Sequence, residues 1–167
     1  MIPVMYYKKL LSGNPEDFAV YANSPFDREK RLILVAKDVS SRYTRRNKAE
    51  FGKVADYIMM LAQSHVGNYM VFFPSYRYME VVEQILDERY DGSFRWQMQT
   101  KRMTEEEREE FLALFEEKRE QSFVGLCVLG GIFSEGIDLK AERLEGTIIV
   151  GTGLPMVCSE QEILMQY

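Results

Sequence analysis

The apolar and polar positions along this chain alternate between two periods. From Phe51, the apolar residues Val54, Ala55, Ile58, Met59 and Ala62 follow at i+3, i+4, i+7, i+8 and i+11, one face of a helix. Asn47 stands where an N-cap is needed, and Glu50 is placed three residues on as its reciprocal partner. Gly67 is placed to stop this helix. The uncharged run Tyr69 to Phe73 then reads as a buried strand. Pro74-Ser75 turns the chain into a second helix, whose Met79, Val82, Ile85 and Leu86 would face the sheet, with Gly92 beyond it. Phe94 to Met98 alternates apolar and polar positions, the period of a strand with one wetter face. Thr104 and Glu107 form a capping box for an acidic helix. Phe111, Leu114 and Phe115 would be its buried stripe, with Lys118 and Arg119 at its negative end.

Towards the amino end, Met5 to Leu11 predicts a short helix with Gly13 at its end, and Asn14-Pro15-Glu16-Asp17 a turn. Phe18 to Tyr21 reads as a short extended piece, Arg31 to Ala36 as a strand, and Ser40 to Arg46 as a polar, basic loop. Towards the other end, Phe123 to Leu129 mixes β-branched, aromatic and small residues without a charge, as a strand buried on both faces does. Gly130-Gly131 ends it, and Thr147 to Val150 reads as a neighbouring strand. Strands and helices joined by short connections predict an α/β fold with a mostly parallel sheet covered by helices.

Ligands in open α/β sheets sit at the carboxyl ends of strands, which draws attention to the loop Glu135-Gly136-Ile137-Asp138. Gly136 lets a backbone approach a ligand closely, and Asp138 could accept hydrogen bonds from a sugar hydroxyl. On spacing alone, a tight turn capped by Asp138 is the commoner use of such residues. Ser75 and Tyr76 stand where a strand ends and a helix begins, where backbone N–H groups and a hydroxyl can hold a phosphate. Ser75 as a plain N-cap is compatible with that. Arg42, Arg45, Arg46 and Lys48, interleaved with Tyr43, could grip phosphates or simply form a solvated start to the helix. Gly151-Thr152-Gly153 does not fit a dinucleotide fingerprint. No residues suggest a nucleophile–base pair or a metal site.

The string FSEGIDL followed by ERL and IIVGTGLP resembles motif V of the DinG/XPD-type superfamily 2 DNA helicases. NYMVFFPSYRYME resembles their motif IV, SPFDREKRLILVAKDVSSRYTRR the segment opening their second RecA-like domain, and MYYKKLLSGNPEDF the linker after motif III. The resemblance implies a RecA-like three-layer fold, a mostly parallel sheet with helices on both faces. Residues 1–23 would be the lead-in after motif III, and 24–167 the second motor domain, incomplete before motif VI. It implies that Glu135, Gly136 and Asp138 belong to the nucleotide site between the two motor domains. It also implies that Ser75 and Tyr76 contact single-stranded DNA, with Arg42, Arg45 and Arg46 as further candidates. Lys140 and Ala141 depart from the aromatic and glycine usual there.

No phosphate-binding G-x-x-x-x-G-K-[ST] loop, DEAH-like acidic motif or Q-x-x-G-R-x-x-R string occurs. By the resemblance, ATP and magnesium would therefore be bound mainly by a first RecA-like domain of the same protein. An iron–sulfur cluster, where present, would also belong there. The expected role is the second motor domain of an ATP-dependent DNA helicase, with no catalytic residue of its own, no ATPase activity alone, and 5′ to 3′ polarity by resemblance only. The alternative is a non-catalytic RecA-like module that binds protein or nucleic acid. A phosphate-binding loop and a Q-x-x-G-R string in the same reading frame would decide for the helicase.

Composition changes this picture little. At 167 residues and 46% hydrophobic, the chain can bury one core. No apolar run is long enough to span a bilayer, and Met1-Ile2-Pro3-Val4 lacks a signal peptide's layout, so a cytoplasmic location is expected. Cys127 and Cys158 read as free thiols. The net charge of −5 looks wrong for a nucleic-acid partner until it is located. Residues 104–120 hold eight glutamates against three cations, while residues 28–53 hold nine cations against three acids. The chain is polarised rather than acidic.

Overall fold

A computed structural model describes residues 4–11, 14, 16–18, 20, 27–116, 120–134, 137–139, 143–152 and 163. The chain divides into two compact units, Met1–Ala36 and Lys37–Tyr167. In the first, helix α1 (Val4–Leu11) forms as expected, and a single 3-10 turn covers Arg28–Lys30. The expected strand at Arg31–Ala36 does not form. The segment belongs to no ladder, and Leu32, Ile33, Leu34 and Val35 are all more than 60% exposed. An apolar run supplies the side chains of a strand, but without a partner its N–H and C=O groups stay with water. Gly13, and Ala19 and Tyr21 of the extended piece expected at Phe18–Tyr21, lie outside the described residues.

The second unit carries the sheet. Its elements are α2 (Lys48–Ser64), β1 (Asn68–Phe73), α3 (Tyr76–Arg89), β2 (Phe94–Met98), α4 (Glu105–Ala113), β3 (Ser122–Val128) and β4 (Gly146–Ile149). The strand order is β2-β3-β1-β4 and every pairing is parallel. Alternation along the two central strands divides the core. Tyr69, Val71 and Phe73 of β1 and Val124, Leu126 and Val128 of β3 meet Val54, Ile58, Met79, Val82 and Leu86 from α2 and α3. Met70, Phe123 and Cys127 face the other way, onto Phe111, Phe115 and Phe133. Helices on both faces make the three-layer α/β fold.

Gly125 sits in the middle of β3, where a Cβ would come within 2.7 Å of the Phe115 ring and 3.1 Å of the Phe111 ring. The two phenylalanines fill the space that a side chain there would occupy. Burial pushes the Cys127 thiol up to about 12. Cys158 lies outside the described residues.

Helix ends follow their residues with two corrections. Thr104 and Glu107 form the full capping box, and Asn47 accepts a hydrogen bond from the Glu50 N–H. The Glu50 carboxylate, however, does not return to Asn47. It accepts a 2.6 Å hydrogen bond from the Ser40 N–H and pairs with Lys53 and Arg45. Two cations and an otherwise unladdered N–H attract it more strongly than the cap. Helix α2 also ends at Ser64, before Gly67. The glycine lies instead under the Glu145 side chain, whose carboxylate a Cβ there would approach to 2.7 Å.

The Ser40 hydrogen bond holds the Glu50 carboxyl below its ordinary value of 4.5, helped by Lys53. A depressed folded value means that the stabilisation is complete above 4.5 and is lost as pH falls through the lower folded value. Acidification below that point is therefore expected to lower the melting temperature of the native chain more than that of Glu50→Gln. Parallel acid-melting curves for the two would count against this origin of the acid sensitivity.

Candidate nucleotide and nucleic-acid site

Because all four strands are parallel, their carboxyl ends share one edge of the sheet. β1 leads through Pro74 to Ser75, the N-cap of α3, whose hydroxyl accepts a hydrogen bond from the Tyr78 N–H. Tyr76 follows, half-buried, with its hydroxyl donating to the Thr100 carbonyl at 3.3 Å. The Lys101 ammonium lies 5.7 Å from the centre of the Tyr76 ring and 3.1 Å from the Glu80 carboxylate. Tyr78 packs inward, as its position in the helix predicts: it is 2% exposed, with its ring edge-on to Phe51 at 4.7 Å.

β3 leads into the central loop. Gly130 takes a positive φ of 71°, and Gly131 donates back to the Val128 carbonyl at 3.0 Å. Phe133 then plunges into the core, 1% exposed and 4.6 Å from the Phe111 ring. Glu135 and Gly136 lie outside the described residues. Beyond them, Ile137 and Leu139 pack against the same aromatic cluster, while Asp138 between them is exposed. Burying the flanking pair fixes the side on which the carboxylate stands. Phe133, Ile137 and Leu139 are therefore the positioning residues of this loop. Their apolar character was visible, but without periodicity in a loop nothing marked them as anchors.

The basic segment reaches the same edge through β4. Gly151, with φ of 93°, lies against Ser41: a Cβ there would meet the Ser41 hydroxyl oxygen at 3.0 Å. Tyr43–Arg45 form a 3-10 turn rather than an open loop. The three arginines differ. The Arg46 guanidinium sits 5.2 Å from the Tyr78 ring and 5.4 Å from the Tyr43 ring, and its Nε donates to the Ser41 carbonyl. Arg42 is exposed, and Arg45, 61% exposed at its side chain, is 3.5 Å from Glu50. Arg46 thus binds the segment to α3, and Arg42 and Arg45 face solvent.

Gln99, just beyond β2, went unremarked in the sequence. It continues the polar parity of Arg95 and Gln97, which predicts a wet residue, yet it is 3% exposed. Among the described residues no group of His, Cys, Asp and Glu could hold a metal ion, and no helix is long and apolar enough to cross a membrane.

The family model for a helicase C-terminal domain matches residues 58–167, well over half of the chain. Two solved structures share the fold. One, of XPD in its apo form, is 23% identical, with 77% of this chain and 25% of that chain covered and a TM-score of 0.59. The other, of XPD helicase, is 24% identical over 77% of this chain and 22% of that chain, again with a TM-score of 0.59. The chain thus spans about a quarter of the length of the structures it matches.

Proposed function

Since the chain belongs to the helicase C-terminal domain family, we propose that it acts as the second motor domain of an ATP-dependent DNA helicase of the DinG/XPD type. Asp138, with Glu135 and Gly136 beside it in sequence, contributes one wall of the ATP cleft. Ser75 and Tyr76, with Arg42 and Arg45, form part of the track for single-stranded DNA. Arg46 holds that track in shape. The observation that carries this reading is the pairing of Phe73 with Val128 at the ends of the adjacent strands β1 and β3. The exits to the two candidate sites are neighbours in the sheet.

The chemistry divides accordingly. ATP supplies the driving reaction, and magnesium and the phosphate-binding loop come from a first RecA-like domain. Asp138 offers that cleft an exposed acceptor, flanked by neighbours that pack partly buried against the aromatic cluster. Cleft closure and reopening then move the Ser75–Tyr76 platform along the strand, in a cytoplasmic enzyme. The domain alone does not turn over ATP.

The DNA half of the proposal is tested by fluorescence anisotropy with a labelled oligothymidylate. Two or three phosphate contacts give a log–log salt slope of roughly −1.4 to −2. Arg42→Ala is expected to weaken binding at every salt concentration and to flatten the slope. Binding that is indifferent to salt, or none at all, would overturn this half.

A further inference from the structure

A primary amide taken out of water has to find partners for both of its ends. Gln99 finds them on two different elements. Its Oε1 accepts from the backbone N–H of Val128, the last residue of β3, at 3.0 Å. That N–H can only donate, so it fixes which end of the amide is oxygen and leaves the NH2 for another partner. The Nε2 donates to the Tyr76 hydroxyl at 2.9 Å, and that hydroxyl in turn donates to the Thr100 carbonyl. Gly131 closes over the amide so tightly that a Cβ would sit 3.0 Å from Nε2. The Gln99 backbone is itself pinned, its N–H donating to the Leu126 carbonyl at 2.8 Å.

We propose that Gln99 is a positioning residue that couples the DNA platform at the start of α3 to the loop bearing Asp138. One end of its amide holds the point where that loop departs from β3. The other holds the hydroxyl of Tyr76. The two strands are also tied by the backbone, through Leu129 N–H to the Phe73 carbonyl at 2.8 Å. That tie is blind to the Tyr76 side chain. The amide path does report where the ring has gone, because a displaced hydroxyl pulls on Nε2 and through it on Val128. The inference rests on the proposed assignment of Tyr76 to DNA and goes beyond it.

The test is an amide NMR titration of this chain with a short oligothymidylate. In the native chain, signals of residues 75–78 and of residues 128–134 are both expected to shift. Gln99→Leu removes both ends of the amide and leaves Tyr76 in place, and the 128–134 response should be lost while that of 75–78 remains. Gln99→Met should do the same. Gln99→Glu keeps the acceptor for Val128 N–H, and the Tyr76 hydroxyl can turn from the Thr100 carbonyl to donate to the carboxylate, so the response should be retained. If one of the Leu and Met variants does not fold, the other decides. Shifts at 75–78 with a silent loop in the native chain would overturn the coupling and leave the DNA assignment standing. So would loop shifts that persist undiminished in the Leu and Met variants. Silence at 75–78 would bring down the DNA assignment, and the coupling with it.

Discussion

Asp138→Ala is expected to cut DNA-stimulated ATP turnover of the two-domain motor by an order of magnitude or more. The carboxylate stands exposed between two partly buried neighbours, so in the proposed role its removal takes a polar contact from the cleft without opening the core. Loss of such a contact misplaces one domain against the other at the moment of reaction, which is where rate is most sensitive. The melting temperature of the 167-residue chain should barely move. Asp138→Asn keeps the size and one acceptor oxygen, and should be milder. If Asp138 instead only caps a turn, Asp138→Ala would cost about 1 kcal/mol of stability and leave turnover intact. A destabilised chain with a normal motor would thus refute the nucleotide role.

Phe133→Ala should produce the larger change in stability, a loss of ~3–5 kcal/mol. Its ring is 1% exposed and lies against Phe111, within the cluster that also holds Ile137 and Leu139. Truncation leaves a cavity under the central loop and removes the aromatic pairing besides. Because small domains are stable by only ~5–15 kcal/mol, such a loss is a large share of the total. Urea unfolding measures it, with Phe133→Leu as a size-preserving comparison that should retain most of the stability. A loss below ~1 kcal/mol would mean that the loop is anchored elsewhere.

The two predictions concern residues that differed in legibility. Asp138 could be named as a candidate from its motif, because a candidate exposed group is recognised by its neighbours in sequence. Phe133 is an anchor only because β3 ends where α4 covers the sheet, and that is a tertiary fact. The helices were readable for a local reason: the stripe of α2 and the capping box of α4 are complete within a few residues. β1 and β3 were readable because burial on both faces leaves an uncharged run. The same reasoning failed at Arg31–Ala36, where apolar residues remain exposed and unladdered. Strand composition states that a segment can pair and says nothing of whether a partner is at hand. Gln99 was illegible for the opposite reason, since its partners lie 29 positions later at Val128 and 23 earlier at Tyr76. Glu50 was half legible: its N–H took the expected cap, and its carboxylate went to Ser40.

The strand order has a consequence for how the chain is made. β1 is flanked by β3 and β4, both of which come later in sequence. When β1 leaves the ribosome it has no strand to pair with, and the partner of Phe73 is Val128, about 55 positions further along. At roughly 5–20 residues per second, this central buried strand waits roughly 3–11 s for its neighbour. No hairpin can shorten that interval, because a parallel pair needs a crossover. Helices α2 and α3, which are local and meet the inner face of β1, can form in the meantime and cover one side of it. The other side stays open until the segment with Phe111 and Phe115 arrives, so nascent chains stalled between α3 and β3 are where aggregation or chaperone capture would concentrate.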